Sequence, residues 1–180
     1  MNIAIVFFSR TQSTKFIAEQ IYELLEDNHN VTLLQISEKK RCHFLKISFA
    51  PIKNAYISSI IGSPTLYFYT LLKKTPEINK FSADLRKFDV LFIGSPIWYG
   101  RLPPAINTFV TDFGPLLSNK KIFIFITSGG GKGFTNYINV LKNAVEEVGL
   151  TVIGKLHKLH GSYLTKNDKK MIVDCLQSLK

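Results

Sequence analysis

Five short apolar runs, each rich in Ile, Val or Phe, are spaced along the chain. Within a run the apolar residues do not alternate with polar ones, which is typical of strands buried on both faces of a parallel sheet. The predicted strands are Ile3–Phe8, Val31–Ile36, Val90–Ile93, Ile122–Ile126 and Thr151–Leu159.

Segments with helical spacing of apolar residues separate these runs. After the first strand, for example, Ile17, Ile21 and Leu25 fall on one helical face. Strands that alternate with helices predict an α/β fold, a doubly wound parallel sheet with helices on both faces. The predicted helices are Thr14–Asp27, Ala105–Phe113 (opened by Pro103 and Pro104), Phe134–Val148 and Asp168–Leu179.

Residues 37–88 do not fit this alternation. The segment is long, aromatic and basic, and it shows no clear crossover helix. We therefore expect residues 1–180 to form a single domain with an insertion at about 37–88, between strands two and three. The aromatic residues of the insertion would form a lid, an apolar dimer face or ordinary core packing.

Composition narrows the class of protein. Of 180 residues, 46% are hydrophobic and 20% charged, as in an ordinary globular protein, and the formal net charge of +10 favours anionic ligands or partners. Cys42 and Cys175 form no CxxC motif and suggest no disulfide framework. The first residues do not resemble a secretory signal. We therefore expect a cytoplasmic location. The uncharged stretch Ala55–Leu72 is too short and too polar for a membrane span, and it favours a buried helix or an apolar interface, with peripheral membrane contact a weaker alternative.

In doubly wound sheets, ligands bind beyond the carboxyl ends of the strands. The loop after the first strand, here named the hydroxyl loop, carries four hydroxyl side chains at the start of a helix. A helix N-terminus favours an anion, so this loop predicts a phosphate site. The alternative is that Ser13 or Thr14 merely caps the helix. The residues of the loop are Ser9, Arg10, Thr11, Gln12, Ser13 and Thr14.

Two further loops follow predicted strands. The aromatic loop, Ser95–Leu102, holds Trp98 and Tyr99, which are large for a surface loop and suggest stacking on a planar ligand, although Trp98 would also fit the core. The glycine loop, Thr127–Gly133, is almost bare backbone, which lets main-chain groups approach a ligand closely.

The sequence patterns argue against several other kinds of site: a dinucleotide or triphosphate site, a metal site, a cysteine nucleophile and a nucleic-acid surface. The glycine loop matches neither the dinucleotide fingerprint nor the phosphate loop of nucleotide triphosphatases. His157 and His160 lie three apart on a predicted strand and would point to opposite faces, so we expect no metal site. Cys42 lies in a basic turn with no visible catalytic partner, and the lysines form no stripe typical of nucleic-acid binding.

Together, the three loops resemble the FMN site of the flavodoxin-like family. The hydroxyl loop is similar to the family's phosphate loop, T/S-x-T-G-N-T/S, with Gln12 and Ser13 in place of Gly and Asn. The segment Asp89–Gly100 resembles the third strand and its flavin-contacting loop, and Thr127–Gly133 the second loop at the flavin ring. The resemblance implies strand order 2-1-3-4-5 and bound FMN. The cofactor-binding residues that it implies are Ser9, Arg10, Thr11, Gln12, Ser13, Thr14, Pro96, Ile97, Trp98, Tyr99, Gly100, Ser128, Gly129, Gly130 and Gly131.

The resemblance implies a redox protein whose flavin performs the chemistry, so we assign no catalytic side chain. One hypothesis is an electron carrier with a redox partner protein. A second is an NAD(P)H-dependent reductase of a quinone or similar small acceptor, which the positive charge favours because the nucleotide is anionic. A third is a flavin-free anion-binding protein on the same fold. A homodimer is compatible with each hypothesis.

Overall fold

The protein forms a five-stranded parallel sheet in the order β2-β1-β3-β4-β5, as predicted. The computed structural model describes residues 1–39, 76–130 and 136–179. The strands are β1 (Asn2–Phe7), β2 (Asn30–Gln35), β3 (Val90–Pro96), β4 (Lys121–Ser128) and β5 (Thr151–Leu159). Each predicted strand is present, and β3 and β4 continue beyond their predicted carboxyl ends into the loops of interest.

Four α-helices lie in the described ranges: α1 (Ser13–Leu25), α2 (Pro104–Phe113), α3 (Tyr137–Glu146) and α4 (Lys166–Gln177). Short 3-10 turns occupy Leu85–Lys87 and Gly114–Leu117. The prediction placed the start of α4 at Asp168, two residues late. The side chain of Thr165 accepts a hydrogen bond from the Asp168 N–H, and the Asp168 carboxylate accepts one from the Thr165 N–H. This capping box makes Asp168 the third helical residue rather than the first.

The helices cover both faces of the sheet. Alternate residues of β1 point to opposite sides, so Ile3 and Ile5 join a core with α1 and α4, while Ala4 and Val6 join a core with α2 and α3. Helices therefore pack on both faces, and the three loops lie at the carboxyl edge of the sheet.

The ends of the segment between β2 and β3 lie side by side. The Lys39 N–H donates to the Glu77 carbonyl and the Asn79 N–H donates to the Ser37 carbonyl, both at 2.8 Å, in an antiparallel arrangement. This pair of chain ends begins at the carboxyl edge of β2, beside β1. Predictions that concern Cys42, the Ala55–Leu72 stretch and the aromatic residues of the insertion lie outside the described residues. Within the described ranges, no helix is both long and apolar enough to cross a membrane.

Candidate functional site

Hydrogen bonds bring the three loops together at the carboxyl edge of the sheet. The hydroxyl oxygens of Thr14 and Thr127 lie 2.8 Å apart and join the hydroxyl loop to the glycine loop. The Ile97 N–H donates to the Thr127 carbonyl at 2.8 Å and joins the aromatic loop to the glycine loop. Residues that are distant in sequence therefore form one continuous surface, as the parallel topology requires.

The hydroxyl loop presents an uncapped helix N-terminus. The N-cap residue of α1, Gln12, makes no side-chain capping hydrogen bond, and the first helical bond runs from the Phe16 N–H to the Gln12 carbonyl. The N–H groups of the residues between them thus point out of the helix end. The hydroxyl of Thr14 is hydrogen-bonded to that of Thr127 instead, and the hydroxyls of Thr11 and Ser13 are 3.5 Å apart. Simple capping of the helix by Ser13 or Thr14 therefore does not describe this loop.

Ser9, at the start of the hydroxyl loop, carries a buried hydroxyl. The residue is 7% exposed, and its Oγ has no hydrogen-bond partner within the described part of the chain. Leaving such a group unsatisfied costs about 1–3 kcal/mol. An anion bound at the helix end offers acceptor oxygens to Ser9 and to the free N–H groups, and the half-buried Arg10 in the same loop adds positive charge. The residues present therefore fit a phosphate group.

Gln12 keeps the backbone conformation of a glycine. Its φ of 69° and ψ of −9° lie in the left-handed region, which L residues adopt at a cost and glycine adopts freely. The family pattern has glycine at this position. The loop therefore turns into α1 along a glycine-type path even though a side chain is present.

The aromatic loop is a tight turn that exposes Tyr99. Trp98 and Arg101 exchange two backbone hydrogen bonds, both 3.0 Å long, and the two residues between them have positive φ, 52° at Tyr99 and 74° at Gly100. Positive φ at both central positions is the mark of a type I′ turn. Tyr99 is 48% exposed at the tip of this turn. The strain of a left-handed tyrosine is the kind that collects at ligand sites.

Trp98 lies in the core, the second of the two predicted possibilities. It is 8% exposed and packs edge-on against Phe8, with ring centroids 5.7 Å apart. Ile97 and Pro96 are also buried, at the end of β3. Tyr99 is therefore the accessible aromatic ring of this loop, while Trp98 fixes the loop to the end of the sheet.

The glycine loop is described as far as Gly130. A Cβ at its first glycine, Gly129, would make ordinary van der Waals contact with the ring of His160, whose nearest atoms lie at 3.9 Å. Gly130 has a φ of +90°, a conformation that favours glycine. Gly131 lies outside the described residues. The backbone of Gly129 and Gly130 thus remains open to a ligand at the edge of the sheet.

Two histidines that sequence reasoning set aside border this loop. His157 Nε2 lies 2.8 Å from Ser128 Oγ, and the His160 N–H donates to the Ser128 carbonyl at 3.0 Å. His157 lies within β5, whereas His160 follows the end of β5 at Leu159 and lies beside Gly129, so the two are not both strand residues as the sequence argument assumed. Their position at the carboxyl end of a predicted strand was the available signal.

The two histidines beside the glycine loop add little positive charge to the site. Partial burial lowers the pKa of both His157 and His160 below the ordinary value, so both rings are mainly neutral at pH 7. No group of His, Cys, Asp or Glu side chains in the described ranges is arranged to hold a metal ion. The positive potential at the hydroxyl loop comes from the helix end and Arg10.

Several solved structures share this fold. A candidate flavoprotein from Bacteroides eggerthii is 25% identical, with 98% of this chain and 96% of that chain covered and a TM-score of 0.65. A flavoprotein from Lactobacillus acidophilus NCFM, solved in complex with FMN, is 22% identical, with coverage of 87% and 92% and a TM-score of 0.59. The two-electron reduced flavodoxin of Megasphaera elsdenii is 18% identical, with 98% coverage of both chains and a TM-score of 0.59.

No curated protein matches the sequence. The family model described as NADPH-dependent FMN reductase matches residues 1–161, which include all three loops. The match confirms the flavodoxin-like resemblance and FMN as the expected cofactor. The chain belongs to the NADPH-dependent FMN reductase family.

Proposed function

We propose that this protein holds FMN in the three-loop site and passes electrons from NAD(P)H to a quinone or similar small acceptor. The observation that carries the proposal is the buried, unsatisfied Ser9 hydroxyl at the uncapped N-terminus of α1. A phosphomonoester satisfies both features at once, and FMN ends in a phosphomonoester.

The phosphate of FMN would be held by the hydroxyl loop. Ser9 Oγ and the first N–H groups of α1 would donate to its oxygens, and Thr11, Ser13 and Arg10 would complete the shell. The glycine-type path at Gln12 directs these N–H groups outward. Thr14 acts indirectly, because its hydroxyl holds the loop against Thr127.

The flavin ring would lie between the aromatic and glycine loops. Tyr99 is 48% exposed, and its ring would stack on one face of the flavin. The backbone of Gly100, Gly129 and Gly130 would contact the polar edge of the ring. Pro96, Ile97 and Trp98 support the aromatic loop from the core. Gly131 lies outside the described residues, and its contact with the ring stays a prediction. When bound, FMN supplies the redox chemistry, and the protein orients it and limits access of water.

Family membership and charge together favour NAD(P)H as the electron donor. The family model describes NADPH-dependent reductases. The formal net charge of +10 attracts the anionic nucleotide, and Arg101, exposed beside Tyr99, places one positive charge next to the proposed ring site. The same charge disfavours an electron carrier for basic partner proteins. A homodimer and a cytoplasmic location remain predictions.

Steady-state oxidation of NADPH by the FMN-loaded protein tests this function. We expect FMN- and quinone-dependent turnover that falls at least about tenfold in Tyr99→Leu and is retained in Tyr22→Leu. Tyr22 is a matched control because it lies in the last turns of α1, away from the loops. A protein that binds FMN but oxidises no NADPH, while it accepts electrons from dithionite, would favour the carrier instead. A protein that binds no FMN would favour the flavin-free alternative.

A further inference from the structure

The glycine loop is fixed by its neighbours up to the point where its glycines begin. The Ile97 N–H donates to the Thr127 carbonyl at 2.8 Å on one side, and the His160 N–H donates to the Ser128 carbonyl at 3.0 Å on the other. Beyond Ser128 the chain continues with Gly129 and Gly130, which have no side chains to hold them in place. The direction of the loop therefore depends on how firmly Ser128 is held.

One side-chain contact holds Ser128 from the edge strand. Its Oγ lies 2.8 Å from Nε2 of His157, and Ser128 is only 2% exposed. Ser128 is the last residue of β4, and His157 lies two residues before the end of β5, so the contact joins the two strand ends beside the proposed ring site. Partial burial lowers the pKa of His157, which keeps the imidazole neutral and leaves Nε2 able to accept from, or donate to, the hydroxyl.

We infer that His157 is a positioning residue for the flavin: through Ser128 it fixes the backbone of Gly129 and Gly130, which would contact the ring. This inference rests on the proposed function and adds a residue that lies outside the three predicted loops. A hydrogen bond at the base of a glycine-rich loop determines where the following N–H and C=O groups lie. Because these groups contact the ring, the His157–Ser128 contact affects both the affinity for FMN and its midpoint potential.

Two substitutions at His157 separate positioning from bulk packing. His157→Leu removes the ring nitrogens but keeps an apolar side chain of similar reach. His157→Gln retains a polar amide near the position of Nε2 and is the conservative variant. Ser128→Ala removes the other half of the contact and changes packing very little, so it tests the same link even if His157→Leu fails to fold.

The experiment measures the FMN Kd by flavin fluorescence quenching, the midpoint potential of the bound flavin, and the thermal unfolding of the FMN-free protein. We expect His157→Leu and Ser128→Ala each to raise the Kd about tenfold and to shift the midpoint potential in the same direction. His157→Gln is expected to recover most of both properties. The double variant of Ser128→Ala and His157→Leu is expected to add little to either single change.

Variants that lower the unfolding temperature but leave the Kd and midpoint potential at wild-type values would overturn the inference, because a purely structural contact behaves in that way. A Kd for His157→Gln as weak as that for His157→Leu would also overturn it. If the wild-type protein binds FMN and the variants bind it equally well, only the inference fails. If the wild-type protein binds no FMN, the proposed function fails with it.

Discussion

Replacing Gln12 by glycine is expected to stabilise the protein. Gln12 adopts a left-handed conformation with φ 69° at the start of α1. A left-handed L residue costs about 1–2 kcal/mol relative to a right-handed one. Glycine removes this cost but gains conformational entropy in the unfolded chain, worth roughly 0.5–1 kcal/mol. The expected net increase in the free energy of unfolding lies between about 0 and 1.5 kcal/mol, with a central value of about 0.75 kcal/mol, which raises the Tm of a chain of this length by roughly 1.5–3 °C.

Thermal and denaturant unfolding of the FMN-free protein measure this effect, with two controls. Gln12→Ala retains a Cβ and is expected to give no comparable gain. Asn119→Gly is a control at a residue with the same φ of 69° that is remote from the loops. Because asparagine tolerates this conformation better than glutamine, we expect a smaller gain in the free energy of unfolding. A lower Tm for Gln12→Gly, or an equal gain for Gln12→Ala, would refute the conformational argument.

The same variant tests whether the hydroxyl loop keeps its shape without glycine. If the backbone already follows the glycine-type path, Gln12→Gly should change the FMN Kd by no more than about threefold. A change of tenfold or more, roughly 1.4 kcal/mol, would mean that the Gln12 side chain contacts the ligand or that the bound loop follows another path.

Three further substitutions test other parts of the account. Ser9→Ala should leave the FMN-free protein as stable as wild type or up to about 1 kcal/mol more stable, because a buried unsatisfied hydroxyl is removed. The same variant should raise the FMN Kd about tenfold in a fluorescence titration. An unchanged affinity would contradict the phosphate assignment. Gly129→Ala should be tolerated in the FMN-free protein, where the nearest atoms to the new methyl group lie 3.9 Å away, yet should weaken FMN binding if the loop contacts the ring. Asp168→Ala should lower the free energy of unfolding by about 1–2 kcal/mol at pH 7, because it breaks the capping box and the 2.8 Å ion pair with Lys158. Burial alone would raise the pKa of Asp168, but its hydrogen bonds bring the pKa below the ordinary 3.8. The loss of stability in Asp168→Ala should therefore be complete above pH 3.8 and should shrink as the pH falls through the lowered pKa. A loss of stability that is constant from pH 7 to pH 2 would contradict this.

The fold was predictable because the apolar runs of the central strands, such as Ile3–Phe8 and Ile122–Ile126, are unbroken. A run such as Ile122–Ile126 indicates burial on both faces, and burial on both faces requires a parallel sheet covered by helices. Helix ends were less predictable, because they depend on individual side-chain contacts. The capping box between Thr165 and Asp168 moved the start of α4, although its spacing, Thr-x-x-Asp, is visible in the sequence.

The site was predictable as a set of loops but not as a set of side-chain roles. Trp98 and Tyr99 are neighbours of similar chemistry, and only the type I′ turn and the packing of Trp98 on Phe8 decide which ring is accessible. The left-handed conformation of Gln12 depends on the tertiary path into α1, which local propensity opposes. His157 was missed because its contact with Ser128 joins residues 29 positions apart.

The most direct test of the central claim is the visible absorption spectrum of the purified protein after it is mixed with FMN and desalted. The account predicts that oxidised-flavin bands are retained by wild type and by Tyr22→Leu, and are strongly reduced in Ser9→Ala at protein concentrations near the wild-type Kd. A wild-type protein that emerges colourless and does not quench FMN fluorescence would contradict the account, and the hydroxyl loop would then be a site for a different anion.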